Sequence, residues 1–117
     1  MRNDYHAENK KVREMMARLG EEAPSLMSAF GRLHKSATDD GALSTKVKEL
    51  IALAIGITVR CDGCIAFHIH DALKAGASRE EILETIGVTV MMGGGPSVVY
   101  GTEALTALDQ LETVPCP

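Results

Sequence analysis

Cys61-Asp62-Gly63-Cys64 sets two thiols three residues apart, with His68 four residues beyond the second and Glu49 twelve residues before the first. Thiols at this spacing can close a small disulfide loop. A histidine one helical turn later can move a proton, and a carboxylate can hold that histidine. Nothing in the chain suggests secretion, so the pair points to redox or metal chemistry rather than to a structural staple. The thiolate is the reactive form, and a helix N-terminus, a partner thiol and a protonated His68 all favour it. Arg60 adds to this if its side chain turns inward. Peroxide attack on such a thiolate gives a sulfenic acid, which the second cysteine converts to a disulfide. An outside dithiol must then reduce that disulfide by exchange.

Side chains advance by about 100° per residue on a helix, so Cys61, Cys64 and His68 share one face. Cys64 and His68 form an i, i+4 pair within reach of one another. His70 lies roughly 200° round from His68 and reads as a packed or surface histidine outside the cluster. Glu49 is less direct. If the chain reverses near Arg60, Glu49 stands about 18 Å above the turn and His68 about 10 Å, at ~1.5 Å per residue. Contact through a water suits that gap better than a direct bond. Spacing by itself reads Glu49 as a solvated charge beside Lys46 and Lys48. The helix dipole favours Cys61 as the attacking sulfur and the i, i+4 histidine favours Cys64, which leaves the physics level.

These residues need helices to carry them, and the apolar periodicity is helical nearly throughout. Val12, Met15, Met16 and Leu19 form a first stripe, which Gly20 is expected to end. Pro24 opens a second helix with Leu26, Met27, Phe30 and Leu33 facing inward. Asp39-Asp40-Gly41 is a turn, and Ser44 caps a third helix running through Glu49 toward Val59. The cysteine pair opens a fourth helix, closed by Lys74-Ala75-Gly76. Ser78-Arg79-Glu80-Glu81 is a capping box for a fifth helix reaching about Met92. Gly93-Gly94-Gly95-Pro96 breaks the chain, and a sixth helix runs from Ser97 to about Leu111. The β-branched stretch 55–59 could pass for a strand, but no second convincing strand exists to pair with it. Met15, Met16, Met91 and Met92 fall at core-like positions and read as gap filling. His6 and His34 have no partner pattern and read as exposed.

The 117 residues suit one domain, with N-terminal helices over 6–36 and a core over 40–112. Apolar residues make up 45 % and charged residues 24 %, the balance of a soluble globular chain. A net charge of −4 without a basic stripe argues against a nucleic-acid partner. The start of the chain lacks the apolar core of a signal peptide. The longest apolar run, 50–59, is too short for a bilayer, which needs roughly 20 residues. No membrane association and a cytoplasmic location are therefore expected. Segments 50–59 and 86–92 are apolar nearly all round and must be covered on every side. A chain this small has few layers to do that, so an obligate homo-oligomer is expected.

Other readings of the same residues are weaker. Cys61, Cys64 and His68 supply three zinc ligands where a structural site wants four, and Cys116 would have to fold back. Cys116 sits between two prolines and reads as a frayed tail thiol. A c-type haem needs histidine directly after the second cysteine, where Ile65 stands. The glycine run lacks the Lys-Ser/Thr of a phosphate loop. No cofactor and no metal are expected.

The stretch from Glu49 to His68 resembles the core motif of the alkylhydroperoxidase D (AhpD)-like family, within the carboxymuconolactone decarboxylase superfamily. That motif is a glutamate, eleven residues, CxxC, three residues and a histidine, matched here at Glu49, Cys61, Cys64 and His68. The resemblance continues through 72–82 and the glycine-rich 91–96, covering roughly residues 40 to 112. It implies an all-α subunit of about six helices, usually trimeric or hexameric, with homohexamer the named expectation. It implies an antioxidant peroxidase or disulfide-reductase activity on a small hydroperoxide, with an external dithiol protein as reductant. It makes Cys64 the attacking thiol, Cys61 the resolving one, and Glu49 with His68 the proton relay. One position departs from the pattern. Relatives can carry a second histidine just before the second cysteine, where this chain has Gly63, which puts part of the proton network in question. The decarboxylase branch generally lacks the cysteine pair. A decarboxylase-type lyase working through His68 and Glu49, and a non-enzymatic redox or disulfide-exchange module, are the alternatives.

Overall fold

The computed structural model describes residues 3–112. It consists of α1 (Tyr5–Glu22), α2 (Pro24–Thr38), α3 (Thr45–Thr58), α4 (Asp62–Lys74), α5 (Arg79–Gly93) and α6 (Gly95–Glu112). No strand occurs among the described residues, so the all-α expectation holds and the stretch from Ile55 is helix through Thr58. Cys116 lies outside the described residues.

Local chemistry explains most boundaries. The Ser44 hydroxyl accepts from Val47 N at 3.1 Å and starts α3. The capping box is complete, with Glu81 N donating to Ser78 Oγ at 3.1 Å and Ser78 N to Glu81 Oε1 at 2.8 Å. Gly76 closes α4 with a φ of 95° that a residue bearing a Cβ rarely adopts. Gly20 does not end α1, contrary to expectation. One glycine costs a helix only about 1 kcal/mol, and α1 runs on to Glu22. Pro24 is the true terminator, because it drives Ala23 out of the helical region. The glycine run breaks the chain at a single residue, Gly94, and α6 starts two residues before Ser97.

The centre is the α3–α4 pair. Arg60, at φ 59°, reverses the chain between them. α5 packs on α3 and α6, α6 also on α4, and α1 on α4. The core joins Leu53 and Ile57 of α3 to Ile65 and Ile69 of α4, Ile82 of α5 and Leu108 of α6. Small residues set the spacing. A Cβ on Gly56 would stand 3.0 Å from Cys64 Cβ, so only a glycine there lets α3 come this close to the second cysteine. Tyr5 ties α1 to α6, its N–H donating to Gln110 Oε1 and its hydroxyl to Glu103 Oε1, each at 2.7 Å.

Several apolar residues expected inside lie outside. No residue of α2 is fully buried, and Leu26, Phe30 and Leu33 are exposed. Met15 is exposed too, and Met91 and Met92 are 73 % and 76 % exposed. Ile51 and Ile55 of α3, with Val59 just past its end, form a bare row. Periodicity locates an apolar stripe but does not say what covers it. No helix among the described residues is long and apolar enough to cross a membrane.

Candidate active site

Cys61 is the N-cap of α4, and its sulfur accepts from Cys64 N at 3.1 Å. The two cysteines are joined as a disulfide, with Cα atoms 5.2 Å apart. This places both sulfurs in the first turn, where unpaired N–H groups and the helix dipole favour a thiolate once the bond is reduced. Gly63 between them is hemmed in by α1. An added Cβ would meet Val12 Cγ2 at 3.1 Å and Glu8 Oε1 at 3.8 Å. Arg60 is exposed rather than turned inward.

Glu49 corrects the reading made from spacing. It is only 3 % exposed, and its Oε1 lies 2.7 Å from His68 Nδ1, a direct hydrogen bond rather than a bridge through water. The reason is where the helices stop. α3 ends at Thr58 and α4 begins at Asp62. Val59, Arg60 and Cys61 therefore add no height. Measured from the helix ends, Glu49 stands about 13 Å up and His68 about 9 Å, a difference within one turn and a glutamate's length. With Nδ1 committed to Glu49, Nε2 is the nitrogen left for a reactant.

A cavity of about 350 Å³ opens on these groups. Both cysteines, His68 and Phe67 line it from α4, Val12 and Met16 from α1, and Phe30 and His34 from α2. Arg13 of α1 lies over the Phe67 ring at 4.2 Å and donates to Asp71 Oδ1 at 2.8 Å. His70 is buried beside them, its Nδ1 3.0 Å from Arg13 and 2.9 Å from Asp71. Of the two readings left open for it, packed or on the surface, the first holds, and it is not among the residues lining the cavity.

His34 was expected to be exposed and is not. Its ring meets Phe67 edge-on at 6.0 Å. Its Nε2 is shut off from solvent without a hydrogen-bond partner among the described residues. One of its ring nitrogens, a Glu49 oxygen and an Asp71 oxygen all lie within 4.8 Å of one another. The sequence held one slight signal, Phe30 and His34 at i, i+4 on the apolar face of α2.

Tyr5 anchors the α1 cover from a buried position. Burial pushes its phenol well above the ordinary 10.0, opposed by the Asn3 side chain and reinforced by the Glu103 carboxylate.

The family model described as carboxymuconolactone decarboxylase matches residues 24–107. A solved carboxymuconolactone decarboxylase family protein from Legionella pneumophila is 45 % identical. It superposes with a TM-score of 0.88 over 92 % of this chain and 96 % of its own. A second, from Thermotoga maritima, is described as a family protein with an antioxidative response as its possible role. It is 27 % identical, with a TM-score of 0.80 over 90 % of each chain. The alkyl hydroperoxide reductase AhpD of Nocardia farcinica is 37 % identical over 59 residues, half of this chain and 33 % of that protein. The matched segment, the six-helix architecture and the superposition agree: this chain belongs to the carboxymuconolactone decarboxylase family.

Proposed function

We propose that the protein is a dithiol-dependent hydroperoxide reductase, with Cys64 as attacking thiol, Cys61 as resolving thiol, and Glu49 and His68 as proton relay. The observation that carries this reading is the pairing of the Cys61–Cys64 bond with His68, whose Nδ1 is held by buried Glu49, on one cavity. The possible antioxidative role in the Thermotoga protein's description and the AhpD match support it.

The reduced Cys64 sulfur attacks the terminal oxygen of ROOH, and the O–O bond breaks. Cys64 becomes a sulfenic acid and ROH leaves with the proton that Cys64 gave up, passed through His68. The Cys61 sulfur then displaces hydroxide from Cys64, which takes the Cys61 proton and leaves as water. Two thiols are oxidised and one peroxide is reduced. An external dithiol protein restores the thiols by exchange, which suits a reducing compartment such as cytoplasm. Apolar linings at Val12, Met16, Phe30 and Phe67 suit a small organic hydroperoxide. The bare rows on α3 and α5 suit burial against further copies of the chain, in a trimer or hexamer.

The test is thiol loss in time after mixing the reduced protein with one equivalent of hydroperoxide, for wild type, Cys61→Ser and Cys64→Ser. Two thiols should disappear quickly in wild type, and none quickly in Cys64→Ser. Loss no faster than a free thiol in all three would reject a peroxidase. The family's decarboxylase name favours a lyase as second reading, and a carboxylated lactone turned over with both cysteines replaced would establish it.

A further inference from the structure

The His34 Nε2 atom is closed to solvent and has no hydrogen-bond partner among the described residues. Such atoms are rare in native proteins and persist where a water, an ion or a reactant completes them. His34 lines the cavity that holds both cysteines and His68, and one of its ring nitrogens lies within 4.8 Å of a Glu49 and an Asp71 oxygen.

The charges around this point do not balance on their own. Near it are Glu49 from α3 and Asp71 from α4, and bonded to these two carboxylates are Arg13 from α1 and His68 and His70 from α4. On α2 itself, Lys35 turns outward to Asp39. Glu49 and Asp71 bring two negative charges and Arg13 one positive, so a single proton on an imidazole makes the cluster neutral. Glu49 is 3 % exposed, and a charge so buried is retained when it is paired. His68 can hold that proton against Glu49, and a His34 ring nitrogen on α2 lies within 4.8 Å of the same carboxylate.

We propose that His34 is a second seat for the proton handled at His68, a positioning residue that shares Glu49 and Asp71 with the relay. The proposal rests on the reading that the dithiol cycles at this cavity. In each cycle a proton leaves a thiol and arrives on a departing oxygen. His34 holds it between those events, so that His68 returns to its neutral form within the cavity. A divalent cation on His34, Glu49 and Asp71 fits less well. Glu49 Oε1 and Asp71 Oδ1 are already engaged by His68 and Arg13, and the guanidinium would face the ion.

The test uses the full-length protein with ¹⁵N-labelled histidine, titrated by NMR in wild type, His34→Asn and His34→Gln. Coupled imidazoles titrate in two macroscopic steps. Replacing His34 should change how the His68 ring signals respond to pH. Iodoacetamide alkylation of the reduced protein across pH gives a readout that needs no peroxide. At neutral pH the variants should react about tenfold more slowly, a smaller loss than the 100-fold or more of a direct general acid. An unchanged His68 curve and alkylation profile in both folded variants would overturn the proposal, as would stoichiometric Zn²⁺ or Mn²⁺ binding that requires His34. If wild type showed the coupling but reacted with hydroperoxide no faster than a free thiol, the peroxidase reading would fail while the shared proton stood.

Discussion

Glu49 and His68 are nineteen residues apart in the chain and 2.7 Å apart in space, joined across the two central helices with the carboxylate almost wholly buried. A buried carboxylate beside an imidazole fixes which ring nitrogen faces the cavity and stabilises the ring when protonated. Glu49→Gln keeps the size and a hydrogen bond but removes the charge. Thiol oxidation by hydroperoxide at neutral pH should fall by about 100-fold, the low end for losing general acid–base assistance. Helical content should be unchanged. Stopped-flow thiol loss with circular dichroism checks both, and a loss of less than about threefold would show that the charge is not used.

Gly63 gives a second outcome that can be read from geometry. A histidine there must displace Val12, since even its Cβ would lie 3.1 Å from Val12 Cγ2. Overpacking of this kind costs about 1–3 kcal/mol. Gly63→His should therefore lower the melting temperature, and adding Val12→Ala should recover part of the loss. Equal melting temperatures for wild type and Gly63→His would mean that α1 yields freely at this point.

The elements were legible where a side chain writes the boundary into the chain. Ser44, the Ser78–Glu81 box and Gly76 mark helix ends by hydrogen bonding or backbone freedom, and each acts locally. Gly20 misled because a breaker's cost is small beside the packing on either side of it. The outward positions of Leu33, Met91 and Met92 were not legible, because periodicity names a face and not its neighbour. The cysteine pair and His68 share a face by spacing alone. Glu49 required the helix ends, which a distance along the chain does not give. His34 belongs to a different helix, thirty residues before Cys64. Only the packing of α2 over Phe67 brings it to the cavity.

Tyr5 gives a prediction about pH. Its hydroxyl donates to Glu103 at 2.7 Å from a site with no exposure, and removing such a bond costs about 1 kcal/mol. At pH 7, Tyr5→Phe should be less stable by that amount. The folded-state phenol is raised above its ordinary 10.0, chiefly by burial, so the contribution is fully present below pH 10. Above that pH the unfolded chain releases the proton while the folded chain keeps it, and wild type loses about 1.4 kcal/mol per pH unit on this account. Phenylalanine has no proton to lose. The stability gap should shrink above pH 10 and change sign near pH 11, with Tyr100 common to both proteins. Urea unfolding of the two at pH 7, 9, 10 and 11 measures this. A constant gap through pH 11 would mean that the Tyr5 hydroxyl titrates alike in the folded and unfolded chain, and that α1 does not seal it against Glu103.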